Sequence, residues 1–434
     1  MKYIIKKVTS MLLITICCLS IFQGINTREV YGATKYVTRE KMIEMIVKEL
    51  GVKINKTSSQ PYIEAAKKIG LITEKTFTKY NANASKIDVA ILLVRADEYL
   101  NGETIPNSLM KEIIEQRISD IGKVKKVLQP YLAKAYALGY IKGNSNGLYS
   151  KNRKFNPNNK VTVTYAKQLV SFINDKGKRH EISPDGQLIR ITNLPEFAEY
   201  YPYILASFPN DYYDWEFMFM KFENDDGPMY GTKYLVNGFD YVSPADFKNY
   251  KNGEKVFSYG IRELISAEEA HIICAEAWEA KTYEYLNAAF NVDYRTLKGD
   301  SEWYSTILKT HATSETDKSN VKKLLDKYVD DAIKNKTIVK SSIVAVDKST
   351  IYTDPSGIYI RAYVKFCIES SKDNSRLSRS PIIFTRYNDP DIEDIKINEW
   401  RNCYINISVS ISNGECNIRE AVINDYFHDK RTVK

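Results

Sequence analysis

Histidine is scarce in this sequence, with four residues among 434. His180, His271, His311 and His428 are therefore the few candidates for the base of a Ser-His-Asp or Cys-His catalytic site. The Gly-x-Ser-x-Gly, His-Glu-x-x-His and P-loop motifs are also missing. The sequence therefore carries no signature of the hydrolases, metallopeptidases or nucleotide-binding proteins that these motifs define.

Cysteine is also rare, and the residues in the C-terminal half, Cys274, Cys367, Cys403 and Cys416, show no Cys-x-x-Cys spacing. This arrangement disfavours a structural zinc site. Cys367, Cys403 and Cys416 fall on predicted strands that could be neighbours, and an exported protein can form disulfides. A disulfide and buried free thiols are both compatible with the sequence.

The patterns that would suit a metal ion are incomplete. Glu268-x-x-His271 places a carboxylate and an imidazole one helical turn apart, but di-iron bundles need two such copies. An incidental histidine on a capped helix is therefore favoured. Asp389, Asp391 and the acids that follow would suit calcium, yet this stretch lacks the glycine and terminal glutamate of an EF-hand loop. We expect a solvated acidic turn and no cofactor, with calcium as the one alternative.

The N-terminus has the pattern of a secretory signal. Three lysines among the first seven residues precede the apolar run Met11–Phe22, which is too short to span a bilayer. The small residues Gly32 and Ala33 predict cleavage after a signal peptide of residues 1–33. We expect export without membrane contact after cleavage, because no later stretch is apolar enough to cross a membrane.

The net charge indicates the kind of surface that attracts this protein. Removal of residues 1–33 takes four positive charges and one negative charge from a formal +8, which leaves +5. A mildly basic exported protein is attracted to an anionic cell wall. The basic residues are interspersed with acidic ones, which is not the pattern of a nucleic-acid-binding surface.

Two helical segments flank a loop rich in glycine and asparagine in residues 118–175. The first segment, Val127–Tyr140, has apolar residues near helical spacing. Gly143 and Gly147 allow a tight backbone in the loop. Thr162 then offers an N-cap hydroxyl to a second helix with one apolar stripe. The stretch is therefore a helix–loop–helix unit.

This unit recurs towards the N-terminus. Residues 60–100 repeat the same order of elements, and Ser85 caps their second helix as Thr162 caps the later one. A half-repeat, residues 36–52, contains only the capped helix. Because one such unit cannot bury its apolar face alone, we expect the units to stack in a domain of residues 34–178.

The last unit contains a series of short motifs. Leu138-Gly139-Tyr140-Ile141 ends its first helix, Phe155-Asn156-Pro157 follows the loop, and Val161-Thr162 opens the second helix. These motifs resemble those of the S-layer homology (SLH) repeat. That repeat ends its first helix in Gly-hydrophobic-hydrophobic, continues with Phe-x-Pro and opens its second helix with Thr-Arg-Ala-Glu. The resemblance covers residues 36–175 and includes Thr38-Arg39-Glu40 in the half-repeat.

The resemblance implies three mostly helical repeats with approximate threefold symmetry, whose grooves bind secondary cell-wall polysaccharide. In that family the helix-opening Thr-Arg dipeptide supplies contacts, and a guanidinium at a helix N-terminus suits an anionic glycan. The matching positions here are Thr38, Arg39, Ser85, Lys86, Thr162, Gly143 and Gly147. Val163 stands where a third cation would be expected. The alternative is that these residues only cap helices in a retained scaffold.

The sequence changes character after residue 178. Residues 179–264 are interpreted as a linker followed by an aromatic-rich segment. Residues 265–434 open with a capping box, Ser266-x-x-Glu269, and a long helix. They end in stretches of period-two alternation that predict antiparallel strands. These stretches are Ile338–Val346, Ile358–Ile368, Pro381–Arg386, Ile395–Ser412 and Glu415–Phe427.

This order of elements predicts an α+β multidomain protein, with helical repeats first and a helix-plus-sheet domain last. A long helix followed by a curved antiparallel sheet resembles the cone of the nuclear-transport-factor family.

Two functions are compatible with these observations. The first is an exported surface protein of a Gram-positive-type bacterium, anchored non-covalently to secondary cell-wall polysaccharide, whose C-terminal domain binds or assembles with a partner without catalysis. The alternative is a wall-anchored enzyme that acts on wall glycan or peptide through a site in that domain. The missing motifs and the scarcity of histidine favour the first function. A pocket lined by convergent carboxylates would favour the second.

Overall fold

The fold of this chain is known from a computed structural model. The described residues are 35–196, 198, 201–214, 223–224, 227–228, 255–257, 264–311, 315–354, 357–372, 385–387, 396–412 and 415–423. The predicted signal peptide lies outside them. Internal contacts divide the chain into a first unit, residues up to Gly143 plus Lys154–His180, and a second unit, Asn144–Arg153 plus Glu181–Lys434. Within the described ranges, no helix is long and apolar enough to cross a membrane.

The described part of the first unit is mainly helical. Its helices are α1 (Arg39–Glu49), α2 (Pro61–Lys68), α3 (Lys86–Asn101), α4 (Asn107–Glu112), α5 (Gln129–Ala137) and α6 (Val163–Ser171). A π-helical turn, Ile113–Arg117, follows α4. The predicted N-caps Thr38, Ser85 and Thr162 are confirmed, because each side chain accepts a bond from a backbone N–H in the first turn of its helix.

The three capped helices, α1, α3 and α6, pack against one another. In α1 the buried side chains Met42, Ile43, Ile46 and Val47 form the stripe expected of an amphipathic helix. Helix α3 is buried on most sides because it also packs against α5, and α2 packs on α1. Each capped helix therefore buries its apolar face against the others, as stacked units must.

Gly139, at the end of α5, occupies a position that no other residue would fit. Its φ of +74° is in the left-handed region, and a Cβ there would lie 2.1 Å from the backbone oxygen of His180. The His180 N–H donates to the Gly139 oxygen at 2.9 Å. The glycine thus permits a close backbone approach within the first unit.

The second unit contains helices beside a sheet. Its described helices are α7 (Asn210–Asp214), α8 (Ala267–Ala289), α9 (Glu302–His311) and α10 (Glu315–Asn335). The strands are β1 (Asn144–Ser145), β2 (Arg153–Lys154, of which Lys154 belongs to the first unit), β3 (Glu223–Asn224), β4 (Gly227–Pro228), β5 (Lys255–Phe257), β6 (Leu264–Ser266), β7 (Val292–Asp293), β8 (Ile338–Val346), β9 (Tyr352–Asp354), β10 (Gly357–Ser370), β11 (Thr385–Tyr387), β12 (Trp400–Ser412) and β13 (Glu415–Ile423). Helix α8 packs against α9, β8 and β13, and α9 packs against α10.

One sheet dominates the second unit. Its order is β11-β13-β12-β10-β8-β7, and β9 pairs with β10. All of its described pairs are antiparallel except β11 with β13. The α+β class is therefore confirmed, and β8 has the predicted bounds. The cone of the nuclear-transport-factor family stays a prediction.

The aromatic-rich segment belongs to the core of the second unit. Tyr201, Leu205, Phe208 and Tyr213 are buried there together with residues of α8, β10 and β12. The Tyr213 hydroxyl donates to the Asp347 carboxylate at 2.7 Å. This part of the segment predicted as residues 179–264 is therefore packed and hydrogen-bonded. Its tyrosines gave no local signal because their partners are distant in sequence.

Two cysteines of the sheet are free and buried. Cys403 lies opposite Val364, and Cys367 lies opposite Trp400, so the strand register does not place the two thiols opposite each other. For this pair the free-thiol alternative is confirmed. The side chains of Cys274 and Cys416 lie outside the described residues.

The candidate metal-binding patterns fall mostly where side chains are not described. The side chains of Glu268 and His271, and the whole acidic stretch 389–394, lie outside the described residues. Elsewhere in the described ranges, no group of three or more His, Cys, Asp or Glu side chains is arranged to hold a metal ion.

Candidate functional site

The segments that precede the three capped helices meet in a closed ring of backbone hydrogen bonds. The Val37 N–H donates to Val161, the Val161 N–H to Ala84, and the Ala84 N–H to Val37, at 2.9, 3.0 and 2.8 Å. All three residues are buried. Each segment therefore donates to one neighbour and accepts from the other, which is an approximate threefold arrangement.

A second set of bonds, two residues further along each segment, runs round the ring in the opposite direction. The first residue of each capped helix donates its N–H to the segment before the next capped helix in the ring. The pairs are Arg39 to Ala82, Lys86 to Asn159 and Val163 to Lys35, at 3.0, 2.9 and 3.0 Å. The predicted dipeptides Thr38-Arg39, Ser85-Lys86 and Thr162-Val163 thus hold equivalent places.

The first-turn amides of α1 and α3 are already occupied. In α1, Glu40 donates its N–H to the Tyr80 oxygen at 2.9 Å, and Lys41 donates to the Thr38 hydroxyl at 3.2 Å. In α3, Ile87 donates to the Pro157 oxygen at 3.0 Å and Asp88 to the Ser85 hydroxyl at 3.4 Å. These amides hold the ring together, so an anionic ligand would have to be held by side chains instead.

Arg39 is neutralised within the first unit. Its Nε and Nη2 atoms both lie 3.0 Å from one carboxylate oxygen of Asp88, and its Nη1 donates to the Lys79 backbone oxygen at 3.2 Å. The guanidinium also lies 5.0 Å from the centre of the Phe77 ring. The Arg39 side chain remains 21% exposed. It therefore presents an edge to solvent while its charge is largely compensated.

Asp88 links this cation to the second capped helix. One of its carboxylate oxygens accepts the Ser85 backbone N–H at 2.9 Å and completes a capping box with the Ser85 hydroxyl. Sequence reasoning missed the role of Asp88. The Ser-x-x-Asp spacing indicates that Asp88 takes part in a capping box with Ser85. The pairing of Asp88 with Arg39 spans 49 residues, so no local sequence pattern indicates it.

Lys86 has a role similar to that of Arg39. Its Nζ donates to the Phe155 backbone oxygen at 3.0 Å. Partial burial lowers the pKa of Lys86, and the nearby Asp120 carboxylate opposes this shift. Asp120 itself accepts the N–H groups of Phe155 and Asn156, each at 2.8 Å. Lys86 and Asp120 together fix the Phe-x-Pro segment.

Both predicted cations thus bind a backbone oxygen in the segment that leads to another capped helix. Val163 cannot donate in this way. The remaining predicted residues differ in their location, because Gly143 ends the first part of the first unit and Gly147 lies in the second unit. The structure therefore brings Thr38, Arg39, Ser85, Lys86 and Thr162 together around the ring and leaves Gly147 in another unit.

Charge is divided unequally between residues 35–180 and residues 181–434. Residues 35–180 contain 27 Lys and Arg against 13 Asp and Glu, whereas residues 181–434 contain 31 against 40. Part of the positive charge is on exposed side chains of one stretch, Lys123, Lys125 and Lys126. The part of the chain that contains the ring therefore carries the positive potential, which attracts anionic polymers.

Comparisons with known proteins agree with the sequence motifs. Residues 117–162 match the S-layer homology domain family. An endoglucanase of Bacillus sp. (strain KSM-635) is 29% identical over 134 residues, which are 28% of this chain and 14% of that protein. The chain thus spans only a small part of this relative.

Proposed function

We propose that this protein is held non-covalently on secondary cell-wall polysaccharide, since residues 117–162 match the S-layer homology domain, which indicates attachment to the cell wall. The closed ring of three capped segments carries the proposal. It extends the threefold arrangement beyond the matched residues to the half-repeat at Thr38 and the repeat at Ser85. The excess of positive charge in residues 35–180 supports an anionic ligand.

The polysaccharide would contact the ring through side chains. Arg39 uses part of its donor set on Asp88 and Lys79, and Lys86 has one described acceptor, the Phe155 oxygen. Each cation therefore has further donors for a glycan carboxylate, at the partly exposed edge where it lies. Thr38, Ser85 and Thr162 would support binding indirectly, because their hydroxyls cap the helices. Arg39 and Lys86 are the first residues of two of these helices.

Sedimentation with cell-wall sacculi tests the anchoring. The chain from residue 34 to 434 is mixed with sacculi before and after chemical removal of the wall polysaccharide. We expect the protein to pellet only when the polysaccharide is present. Equal pelleting with stripped sacculi, or none with intact sacculi, would contradict the proposal.

A double variant, Arg39→Ala with Lys86→Ala, tests the contacts. We expect about tenfold weaker binding, because charge-assisted hydrogen bonds to the glycan are lost. The matched control removes two exposed lysines of the capped helices, Lys41→Ala with Lys167→Ala, so that the net charge changes equally. Thermal unfolding of both proteins distinguishes lost contacts from lost fold. If the first variant bound as tightly as the wild-type protein, Arg39 and Lys86 would have only a structural role.

The second unit would serve as the displayed module, which binds or assembles with a partner. Its described residues contain a buried carboxyl group, Asp347, that accepts bonds from Tyr213 and Ser349 at 2.7 Å. Burial raises the pKa of Asp347 to about 6. These bonds and its 1% exposure are typical of a structural carboxyl group, since a substrate would have to displace both partners.

The alternative is a wall-anchored enzyme, for which Asp347 would be a candidate acid because its pKa is raised to about 6, provided that a substrate displaced Tyr213 and Ser349. Incubation of the protein with purified wall glycan and peptide, followed by detection of new reducing ends or free amines, tests it. Product formation that is lost in Asp347→Asn would favour the enzyme. An unchanged substrate would favour the binding module.

A further inference from the structure

Ten residues of the last repeat form part of the second unit. The S-layer homology match spans residues 117–162, yet Asn144–Arg153 within it groups with Glu181–Lys434 by internal contacts. We call these ten residues the 144–153 loop. The second unit is therefore discontinuous in sequence, and the chain passes between the units three times, after Gly143, Arg153 and His180.

Tyr149 is the centre of this loop's packing. Its ring stacks on Tyr363 of β10 with 4.2 Å between centroids and 13° between planes. It meets Phe208 edge to face at 5.2 Å and Tyr212 at 6.1 Å. Burial among these rings raises the pKa of Tyr149. Aromatic pairs at these separations are attractive beyond the area that they bury.

Backbone and charge contacts hold the loop in the same place. The Tyr149 N–H donates to the Ser207 oxygen at 2.7 Å, and Tyr149 adopts a φ of +60°, which is unusual for a residue with a side chain. Lys151 pairs with Glu279 of α8 at 2.9 Å, and the two side chains are 30% and 13% exposed. The loop is thus held by a backbone hydrogen bond, by the aromatic side chain of Tyr149 and by the ion pair of Lys151.

The residues that receive the loop are core residues. Phe208, Tyr212 and Tyr363 are each at most 5% exposed and belong to the hydrophobic core of the second unit. Without Tyr149, the faces of Phe208 and Tyr363 that it covers would be open to water. Residues 181–434 alone would therefore lack a component of their own core.

We propose that the 144–153 loop is an integral part of the second unit, inserted from the last repeat, and that it secures the displayed module rather than contacting polysaccharide. This inference rests on the proposed function in one respect only, namely that polysaccharide is the ligand which the loop does not contact. It reassigns Gly147 from polysaccharide binding to a turn of this insertion, where its N–H donates to the Ser145 hydroxyl oxygen at 3.1 Å.

Hydrogen exchange on the chain from residue 34 to 434 tests the insertion. In Tyr149→Ala we expect amides of β10 and β12 to exchange about a hundredfold faster, because a buried aromatic ring is lost. Amides of α1, α3 and α6 should keep their protection. Tyr149→Phe, which retains the ring, should restore most of the protection. The matched control is the neighbour Leu148→Ala, because Leu148 is 66% exposed.

Pelleting with sacculi gives the second readout. We expect Tyr149→Ala to pellet like the unchanged protein, since the loop does not contact the polysaccharide. Wild-type exchange in β10 together with reduced pelleting would overturn the inference and return the loop to the glycan site. If no variant and no wild-type protein pellets, the proposed function fails, while the exchange result still decides the role of the loop.

Discussion

The two units carry opposite charge and are stabilised in different ways. The first has an excess of Lys and Arg, whereas residues 181–434 have an excess of Asp and Glu. In the first unit, buried carboxylates pair with arginines, as Asp97 does with Arg179. In the second, Asp347 is bound by tyrosine and serine hydroxyls. An anionic polymer would therefore attract the first part of the chain and repel the second.

Removal of one partner of a buried ion pair is expected to have the largest effect and should destabilise the first unit alone. Arg179 lies 2.7 Å from Asp97, and their side chains are 7% and 2% exposed. Arg179 also donates to the Tyr140 hydroxyl at 2.7 Å. Asp97→Ala would leave the guanidinium buried without its counter-charge, which typically costs about 3–5 kcal/mol.

Calorimetry and hydrogen exchange measure this cost for each unit. The control is Glu74→Ala, which removes a partner of Lys67 at the exposed surface and should leave the stability nearly unchanged. If Asp97→Ala destabilised the second unit as much as the first, the two units would share one folding transition, and the contrast between them would be lost.

Two glycine variants, compared with each other, test the close backbone approach of Gly139 to His180 in the first unit. Gly139→Ala would place a Cβ against the His180 oxygen in a backbone region that L-residues avoid, which we expect to cost more than about 3 kcal/mol. Gly51 has a similar φ of +64° but open space around its Cβ position, so Gly51→Ala should cost only about 1 kcal/mol. Chemical denaturation compares the two. Equal costs would mean that His180 moves aside freely.

The contrast between the units also explains what could be predicted from the sequence. The caps Thr38, Ser85 and Thr162 and the loop glycines are local signals, because a cap and its helix lie within a few residues. The strands beginning at Ile338 and Glu415 were recognisable from their alternation.

Other contacts left no such signal. Arg39 pairs with Asp88, and Tyr149 stacks on Tyr363. The partners are far apart in sequence, and the spacing of apolar residues along the chain does not reveal such contacts. Residues 201–213 were predicted only as part of an aromatic-rich segment, because their tyrosines have no regular spacing that would indicate which elements they pack against. Their burial depends on a sheet that forms more than a hundred residues later. Sequence analysis therefore predicted the helix starts, but it missed the partners that those residues and the tyrosines contact.

The buried Asp347 and the half-buried His311 should give the stability of the second unit two opposing dependences on pH. The pKa of Asp347 is raised to about 6 and that of His311 is lowered to about 4, both mainly because burial disfavours the charged form. As pH rises from about 4 to 6, the native state holds the Asp347 proton longer than the unfolded chain, so this group lowers stability. His311 loses its proton earlier in the native state, so it raises stability with pH.

The two effects oppose each other and should nearly cancel in the unchanged protein. Asp347→Asn should therefore show stability that increases by about 2–3 kcal/mol from pH 4 to 6.5, whereas His311→Phe should show a decrease of similar size. Urea denaturation at several pH values measures both slopes. Parallel profiles for the two variants would contradict the opposite signs.

The smallest effect compares two caps of the same ring. Ser85 is buried and shares a reciprocal capping box with Asp88, which in turn holds Arg39. Thr162 accepts a single bond, from the Tyr165 N–H at 3.2 Å, and its helix has no acidic residue in the first turn. We therefore expect Ser85→Ala to cost about 2 kcal/mol and Thr162→Ala about 1 kcal/mol in urea denaturation. Equal costs for the two variants would mean that the backbone hydrogen bonds stabilise the ring and that the capping box of Ser85 adds nothing to them.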